Sequence, residues 1–290
     1  MSNTAFIKAH GTQNDFVVFV DPDVTLDLTA QTVQHITDRR AGVGGDGVIR
    51  VATAQALLNA DALEELPDGV KPEEWFMDYR NADGSLAEMC GNGVRVFAHV
   101  LVSENLVDWD PEAWIGVGTR AGRKQVHIHS ADADHGEISV DMGAPKVNGL
   151  STATVGGYPV AGLAVDMGNP HLAAVIPDLD ADSLNQLPID GNVEWDPAFF
   201  PQGLNVEVVT PLSDGTIHMR VHERGVGETH SCGTGTIAAV VSALADAEQE
   251  FGTVSVSVPG GQVEVTITED TSILRGPSQV VARGTTTLAG

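Results

Sequence analysis

Two cysteines carry the strongest chemical signal in this chain of 290 residues. Cys90 and Cys232 each open the sequence Cys-Gly-x-Gly, and an apolar segment of about helix length follows each of them, at residues 94–101 and 237–245. A cysteine at the start of a helix lies against the positive end of the helix dipole, which favours the thiolate over the thiol. We therefore predict that both cysteines begin buried helices, in a setting that can lower the pKa of a thiol; the sequence leaves open which of the two is the thiolate at rest.

The residues that follow each cysteine predict a site for an anion. Gly91 and Asn92 follow the first cysteine, and Gly233 and Thr234 follow the second. Glycine lets a ligand approach the backbone closely, and the free N–H groups of a helix start bind carboxylates. If both motifs meet at one ligand, a thiolate on one face removes an α-proton while a thiol on the other face supplies one, which inverts the carbon.

The two cysteine segments also indicate duplicated halves, because Asn81 stands nine positions before Cys90 and Glu223 stands nine positions before Cys232. Alternating, β-branched runs predict many short strands, at 15–20, 127–129, 137–140, 206–209, 253–258 and 263–267. The polar stretch 130–136 predicts the boundary. We expect an N-terminal domain of residues 1–130 with the first cysteine and a C-terminal domain of residues 131–278 with the second.

Composition excludes several classes of protein. Hydrophobic residues make up 42% of the chain and charged residues 19%, which is typical of a folded globular protein. Forty acidic residues against fifteen basic ones give a net charge of −25, which repels nucleic acids and anionic lipid surfaces. The first ten residues lack the features of a secretory signal, and no apolar run is long enough to span a membrane. We expect a cytoplasmic protein.

Three simpler explanations of the cysteines remain open at this point. Either one alone is most simply a buried small hydrophobe, but two in matching glycine-rich contexts are hard to explain by packing. A disulfide between the halves is disfavoured in a reducing compartment. A zinc site with His230 is disfavoured because the sequence has no closely spaced ligand pairs, so no metal is expected.

Further motifs extend the pattern over nearly the whole chain, at residues 6–16, 42–47, 81–85, 167–171, 203–206 and 223–229. In order and spacing, together with the two cysteine motifs, they resemble the diaminopimelate epimerases, a family of pyridoxal-independent amino-acid epimerases and racemases. The resemblance implies an isomerase that converts LL-2,6-diaminopimelate to meso-diaminopimelate without a cofactor, in lysine and peptidoglycan precursor biosynthesis. The expected partner is this small molecule, with neither nucleic acid nor membrane, and a homodimer is compatible with it.

The same resemblance implies the fold and the roles of residues. It implies an α+β fold of two pseudo-symmetric domains, each a mixed sheet rolled around a central buried helix, with the active site in the cleft between them and residues 279–290 completing the first domain. Cys90 and Cys232 are then the thiolate/thiol pair, and the substrate contacts, in addition to the residues after each cysteine, are Asn14, Asn81, Asn169, Asn205, Glu223 and Arg224.

Physical chemistry supports these contacts but leaves alternatives. Arg224 can hold the distal carboxylate of the substrate through a bidentate fork, and Glu223 can accept from an ammonium group. The two could instead form a surface ion pair, and Asn14, Asn169 and Asn205 could be turn residues. A proline-racemase-like enzyme is the nearest alternative, although Asn92 occupies a position where that family is expected to have histidine. A redox-responsive amino-acid-binding protein is an alternative of another class.

Overall fold

The computed structural model describes residues 3–287. The chain forms two compact units: the first comprises the chain up to Val140 together with the chain from Pro277 onward, and the second comprises Asp141–Gly276. Strands β7 (His135–Gly143) and β17 (Ser272–Thr287) each contribute residues to both units. Of the predicted segment 279–290, residues 279–287 lie in β17, and residues 288–290 lie outside the described residues.

The first unit is a ring of strands with a helix inside it. Its remaining elements are β1 (Asn3–Gly11), β2 (Asn14–Val20), α1 (Ala30–Thr37), β3 (Gly47–Thr53), α2 (Ala54–Asn59), β4 (Trp75–Asn81), α3 (Gly91–Ser103), β5 (Trp114–Thr119) and β6 (Gly122–Ala131). The strands pair in the order β17–β1–β2–β3–β4–β5–β6–β7, and β7 pairs with β17, which closes an eight-stranded barrel. The pairs β2–β3 and β4–β5 are parallel.

Helix α3 lies inside this barrel because its residues are apolar around almost the whole circumference. It contacts β1, β2, β3, β4 and β6, and every residue from Gly91 to Leu101 is buried. The outer face of β2 is covered in turn by α1, where Val17 and Phe19 cluster with Val33 and Ile36. Strands covered on both faces are apolar throughout instead of alternating, as in the buried run from Phe16 to Phe19.

The second unit repeats this plan. Its remaining elements are β8 (Lys146–Val155), β9 (Tyr158–Asp166), β10 (Pro170–Val175), α4 (Ala181–Leu184), β11 (Val193–Trp195), β12 (Asn205–Val209), β13 (Thr216–Glu223), β14 (Gly227–Thr229), α5 (Gly233–Asp246), β15 (Gly252–Val258) and β16 (Gly261–Ile267). The sheet order is β8–β9–β10–β12–β13–β15–β16–β17, with β10–β12 and β13–β15 parallel. Short β11 pairs with β8, and short β14 pairs with β13.

Helix α5 packs against the curved sheet of this unit, in contact with β9, β10, β12, β13, β15 and β16. Small side chains allow the close approach: Ala238 packs on Ala173 and Val165, and Ser242 Oγ donates a hydrogen bond of 2.8 Å to the Ala173 carbonyl. The predicted α+β fold, with one buried helix for each cysteine, is therefore confirmed.

The polar stretch 130–136, where the sequence places the domain boundary, forms the tight turn between β6 and β7. Asp132 Oδ1 accepts hydrogen bonds from the backbone N–H groups of Asp134 and His135 there. Polar residues stabilise a hairpin turn as readily as a linker, and the division between the two compact units falls later, after Val140. Within residues 3–287 no helix is both long and apolar enough to cross a membrane.

Candidate active site

Cys90 is the N-cap of α3. Its backbone is extended (φ −142°), and its Sγ atom accepts a hydrogen bond from the Gly93 N–H at 3.5 Å. An N-cap side chain satisfies one of the four N–H groups that a helix start leaves without an intrahelical partner. The predicted start of a buried helix at this cysteine is confirmed, and the cysteine itself is partly exposed.

Asn14 reaches Cys90 from the turn between β1 and β2. Its Oδ1 atom lies 3.5 Å from Cys90 Sγ and accepts from Asn92 Nδ2 at 3.3 Å, while its Nδ2 donates to Asp46 Oδ2 at 2.8 Å. The two turn residues before Asn14 both have positive φ, 48° at Thr12 and 63° at residue 13. That backbone suits a two-residue hairpin turn, although for residues other than glycine it costs about 1–2 kcal/mol each.

Arg95 supports this turn from inside the barrel. Its side chain is completely buried, and its Nη2 atom donates to Thr12 Oγ1 at 3.1 Å. Burial lowers the pKa of Arg95 to about 10, against the opposing influence of the negative charges of Cys90 and Glu137. The guanidinium therefore keeps its charge at neutral pH and places a positive charge below the first cysteine.

Asn81, predicted as a substrate contact, lies at the end of β4. Its Nδ2 donates to Ser85 Oγ at 3.0 Å, and its backbone N–H donates to the Ser85 carbonyl at 3.0 Å. These bonds close a short turn.

Cys232 repeats the geometry at the start of α5. It is the N-cap (φ −125°), its Sγ accepts from the Gly235 N–H at 3.4 Å, and Thr234 Oγ1 lies 3.5 Å from Sγ. Unlike the first cysteine it is buried. The second predicted helix start is thus confirmed as well.

The surroundings of Cys232 oppose the thiolate that a helix start favours. Burial raises the pKa of this thiol well above its usual value, and the negative charges of Glu223 and Glu207 raise it further; the hydrogen bonds from Thr234 and from the Gly235 N–H oppose this only in part. Desolvation and like charge both disfavour a thiolate, and here they outweigh the helix start. Cys232 is accordingly a thiol at neutral pH.

Glu223 is the residue that accepts the hydrogen bond of the Cys232 thiol. Its carboxylate accepts hydrogen bonds from the Thr229 hydroxyl and from the Cys232 side chain. Burial raises the pKa of Glu223, and the charge of Glu207 adds to that effect. Within the part of the chain that the structure describes, no ion pair joins Glu223 to Arg224, unlike the surface pair that the sequence left open.

A chain of polar side chains connects Thr234 with a buried carboxylate. Asn169 Nδ2 donates to Thr234 Oγ1 at 3.4 Å, and Asn169 Oδ1 lies 3.1 Å from His171 Nε2. The other ring nitrogen, His171 Nδ1, lies 2.7 Å from Glu207 Oε1. Burial raises the pKa of Glu207, against the opposing effect of His171.

Asn205 and Arg224 form a separate hydrogen-bonded pair near these polar side chains. Asn205 Oδ1 accepts from the Arg224 backbone N–H at 2.9 Å, and its Nδ2 donates to the Pro170 carbonyl at 3.2 Å. The Arg224 side chain is exposed, and its Nη1 donates to the Gln202 carbonyl at 2.9 Å. Because the guanidinium is exposed, a ligand can reach its other N–H groups.

Comparison with known proteins identifies the family of the chain. The sequence profile of the diaminopimelate epimerases matches residues 6–148 and 163–281. The chain belongs to the diaminopimelate epimerase family. A diaminopimelate epimerase from Corynebacterium aurimucosum is 56% identical over 283 residues, which cover 98% of this chain and 99% of that protein. Another, from Rhodococcus jostii, is 54% identical over 97% of this chain and 96% of that protein. Membership of this family makes the protein an isomerase, as predicted.

Solved structures of other families share the fold of this diaminopimelate epimerase family member. A probable proline racemase from Agrobacterium radiobacter matches with a TM-score of 0.69 over 99% of this chain and 93% of that one, at 14% identity. A phenazine biosynthesis protein of the PhzF family from Bacillus anthracis matches with a TM-score of 0.68 over 99% and 100% of the two chains, also at 14% identity. At this identity the likeness shows the fold alone.

Three polar residues beside the cysteines were not predicted from the sequence or were given only a minor place: Arg95, His171 and Glu207. A weak signal exists for two of them, because each interrupts an apolar run, Val94–Leu101 in α3 and Val206–Val209 in β12. A lone charge in a buried element is rarely left without a partner. The sequence does not reveal what that partner is.

Proposed function

We propose that the chain interconverts LL- and meso-2,6-diaminopimelate without a cofactor, with Cys90 and Cys232 as a proton-transfer pair that acts on one α-carbon. Membership of the diaminopimelate epimerase family supports the substrate and the reaction. The observation that carries the mechanism is the matched pair of N-cap cysteines. The Sγ atom of each accepts a hydrogen bond from the backbone N–H three residues further along the chain, at Gly93 and Gly235.

The surroundings of the two sulfurs differ, and this difference assigns the acid and base roles of the two cysteines. Buried Cys232 begins as a thiol, hydrogen-bonded to Glu223. In the direction where it is the acid, Cys90 is the base, and the guanidinium of Arg95 favours the negative charge on its sulfur. In the opposite direction the two exchange roles.

The proton balance of this step is complete without a further reactant. The α-proton passes to the thiolate of Cys90, and the electron pair of the broken C–H bond spreads into the substrate carboxylate. Cys232 then gives its proton to the opposite face of the carbon and becomes the thiolate. The backbone N–H groups of Gly91, Asn92, Gly233 and Thr234 are proposed to hold that carboxylate while charge develops on it.

The remaining predicted contacts are proposed to recognise the distal amino-acid group. The exposed guanidinium of Arg224 can bind a carboxylate, and Asn205 accepts a hydrogen bond from the Arg224 backbone N–H. Asn14, Asn81 and Asn169 provide amide donors and acceptors for the ammonium and carboxylate groups. We also propose that the protein acts in lysine and peptidoglycan precursor biosynthesis in the cytoplasm; assembly as a homodimer stays a prediction.

Serine variants of the two cysteines test this proposal. Cys90→Ser and Cys232→Ser should each lower full epimerisation by several orders of magnitude, because a hydroxyl is a far weaker acid than a thiol. The assay follows LL-diaminopimelate by chiral chromatography and by deuterium incorporation at the α-carbon in D₂O, with Ser103→Ala on the far end of α3 as a control that keeps activity. Proline and hydroxyproline serve as comparison substrates.

A single-cysteine variant that still inverts diaminopimelate at the wild-type rate would exclude the two-cysteine mechanism. Exchange of the α-proton without inversion in one variant would instead be consistent with it, since one face retains its base. Turnover of proline in preference to diaminopimelate would overturn the proposed substrate.

A further inference from the structure

The loop between α1 and β3 contains a carboxylate to which the proposed reaction assigns no role. Asp46 Oδ2 accepts a hydrogen bond from the Asp15 backbone N–H at 3.1 Å, and Asp46 Oδ1 accepts from Arg39 Nη2 at 2.7 Å. A backbone N–H and a guanidinium can only donate. Both carboxylate oxygens of Asp46 are therefore acceptors, and any further group that hydrogen-bonds to them must be a donor.

These contacts fix the direction of the Asn14 amide. An amide side chain has a donor at one end, the NH2 group, and an acceptor at the other, the carbonyl oxygen. Asn14 Nδ2 lies 2.8 Å from Asp46 Oδ2, so the NH2 group faces the carboxylate and the carbonyl oxygen is turned away from it. That oxygen lies 3.5 Å from Cys90 Sγ and 3.3 Å from Asn92 Nδ2. An acceptor is thus held beside the sulfur of the first cysteine.

Arg39 holds Asp46 in this position through a second carboxylate. Its Nη1 and Nη2 atoms donate to Asp15 at 3.1 Å and 2.6 Å, and Lys8 also binds Asp15. Burial opposes the negative charge of Asp15, but the hydrogen bonds and charges of Arg39 and Lys8 lower its pKa to about 2. Asp15 is therefore ionised at neutral pH and anchors the guanidinium that binds both acids.

We propose that Asp46 is a positioning residue that makes Asn14 an acceptor for an ammonium group of the substrate. The inference rests on the proposed function, because it requires an amino acid as the ligand. A carbonyl oxygen binds an ammonium group and repels a carboxylate oxygen, whereas the N–H groups at the start of α3 favour a carboxylate. The Asn14 carbonyl gives a Cys90 thiolate no hydrogen bond; the buried positive charge of Arg95 favours that thiolate.

Asp46→Ala removes the acceptor that holds the NH2 group of Asn14. The freed amide can turn its NH2 group to the Cys90 thiolate, and the substrate must then break a hydrogen bond to a charged group before it binds. We expect the KM for diaminopimelate to rise roughly tenfold. The kcat should change less than about threefold, since a contact made equally in the ground state and the transition state affects binding alone.

Asp46→Asn is the conservative variant that separates the amide direction from the charge. The Asp15 N–H can only donate, so it selects the new carbonyl oxygen for the place of Oδ2, where that oxygen can also accept from Asn14. The exposed Arg39 loses one partner and keeps Asp15. The KM of Asp46→Asn should lie within about threefold of the wild-type value. An Asp46→Asn variant as impaired as Asp46→Ala would overturn the inference, because the charge would then be responsible.

A second acid of the same loop controls for disturbance of the loop itself. Asp38 Oδ1 accepts from the backbone N–H groups of Arg40 and Ala41, both at 2.7 Å. Asp38→Ala should leave the KM and kcat unchanged. The Asp46 side chain is 42% exposed, so its replacement leaves the core intact. A KM of Asp46→Ala equal to that of the wild type would refute the assignment of the ammonium group.

A titration without substrate tests the amide direction by itself. In a Cys232→Ser background, the ultraviolet absorbance of the Cys90 thiolate is followed against pH, relative to a protein that lacks both thiols. Asp46→Ala and Asp46→Asn remove the same negative charge, so the difference between them reports the Asn14 amide. The thiolate-to-thiol ratio at a fixed pH should be roughly tenfold higher in Asp46→Ala, since only there can the NH2 group turn to the sulfur.

The same comparison in an Asn14→Ala background is decisive. Without that amide the two Asp46 variants should differ less than about threefold, because interacting sites are not additive. An equal difference with and without Asn14 would overturn the inference. All other charged groups around the sulfur stay unchanged in every variant: Arg95 of α3, Glu137 of β7 near Arg95 and, beyond Asn14, the residues Asp15, Lys8 and Arg39.

Failure of this inference is separable from failure of the proposed function. The titration needs no substrate, and the wild-type protein is assayed in parallel for inversion of LL-diaminopimelate. An inactive wild type whose Asp46 variants titrate differently would refute the proposed reaction and support the fixed amide. An active wild type whose two Asp46 variants titrate alike would refute the role of Asp46 and leave the reaction intact.

Discussion

Gly235 provides the sharpest structural test of the second cysteine site, because a side chain there would collide with the buried carboxylate. A Cβ atom at position 235 would lie 2.5 Å from Glu207 Oε1, 3.2 Å from its carboxyl carbon and 3.3 Å from Cys232 Cβ. Ordinary contacts begin roughly 1 Å further out, so Gly235→Ala must displace Glu207 by about that distance. His171, 2.7 Å from the same oxygen, would have to follow or lose its partner.

The expected free-energy change is the balance of two effects. Overpacking a rigid core costs about 1–3 kcal/mol, while replacing glycine by alanine in a helix contributes up to about 1 kcal/mol in the opposite direction. Gly235→Ala should therefore be destabilised by about 0–2 kcal/mol net. Its epimerase activity should fall roughly tenfold or more, because the hydrogen-bonded side chains of Glu207 and His171 behind Cys232 are displaced.

The duplicated motif supplies the matched control. Gly93 occupies the same place after Cys90, but a Cβ there would meet Cys90 Cβ at 3.4 Å, Met77 Sδ at 3.5 Å and Ile49 Cδ1 at 3.6 Å, all ordinary contacts. Gly93→Ala should be neutral or stabilised by up to about 1 kcal/mol. The two variants should thus differ by about 1–3 kcal/mol in the free energy of unfolding.

Urea denaturation of both variants, with the inversion assay alongside, makes the comparison. Adding Glu207→Ala to Gly235→Ala removes the collision partner, so the double variant should be more stable than the sum of its single changes predicts. Equal stability and activity of Gly235→Ala and Gly93→Ala would show that the Glu207 carboxylate is free to move, and the reasoning about a rigid pair would be wrong.

Two further predictions concern the charged residues of the same unit. Arg224→Lys should raise the KM for diaminopimelate at least tenfold, roughly, because lysine cannot form the bidentate fork, while the exposed control Arg40→Lys should leave kcat/KM unchanged; a normal KM would remove Arg224 from the site. Glu223→Gln in a Cys90→Ser background should lower the pKa of Cys232, since one of the two carboxylates that raise it is neutralised. The thiolate should then appear at lower pH in an absorbance titration, and a shift to higher pH would contradict this account.

Much of the architecture was predictable because it depends on local pattern. The apolar segments after Cys90 and Cys232 are helices buried in the two units, and the alternating runs are strands. The N-cap geometry follows from the sequence Cys-Gly-x-Gly itself, since an N-cap side chain binds the N–H three residues on. The order of the motifs was sufficient to indicate the family.

The polar stretch at 130–136 shows where local pattern is ambiguous. The same composition serves a hairpin turn and a domain linker, and only the pairing of β6 with β7 distinguishes them. Asn81 shows the same ambiguity within the site, because its side chain closes a turn with Ser85. Asn14, another asparagine near a turn, instead reaches a cysteine 76 residues away.

The ionisation of Cys232 is the property that only the tertiary structure decided. The sequence places this cysteine at a helix start, which by itself lowers the pKa of a thiol. The fold buries it and brings Glu207 from β12 and Glu223 from β13 to its side, and both effects raise the pKa. A helix start acts through neighbours in sequence, whereas desolvation and charge act through every group that the fold brings near, so the sequence determines the helix and the tertiary structure determines the charge.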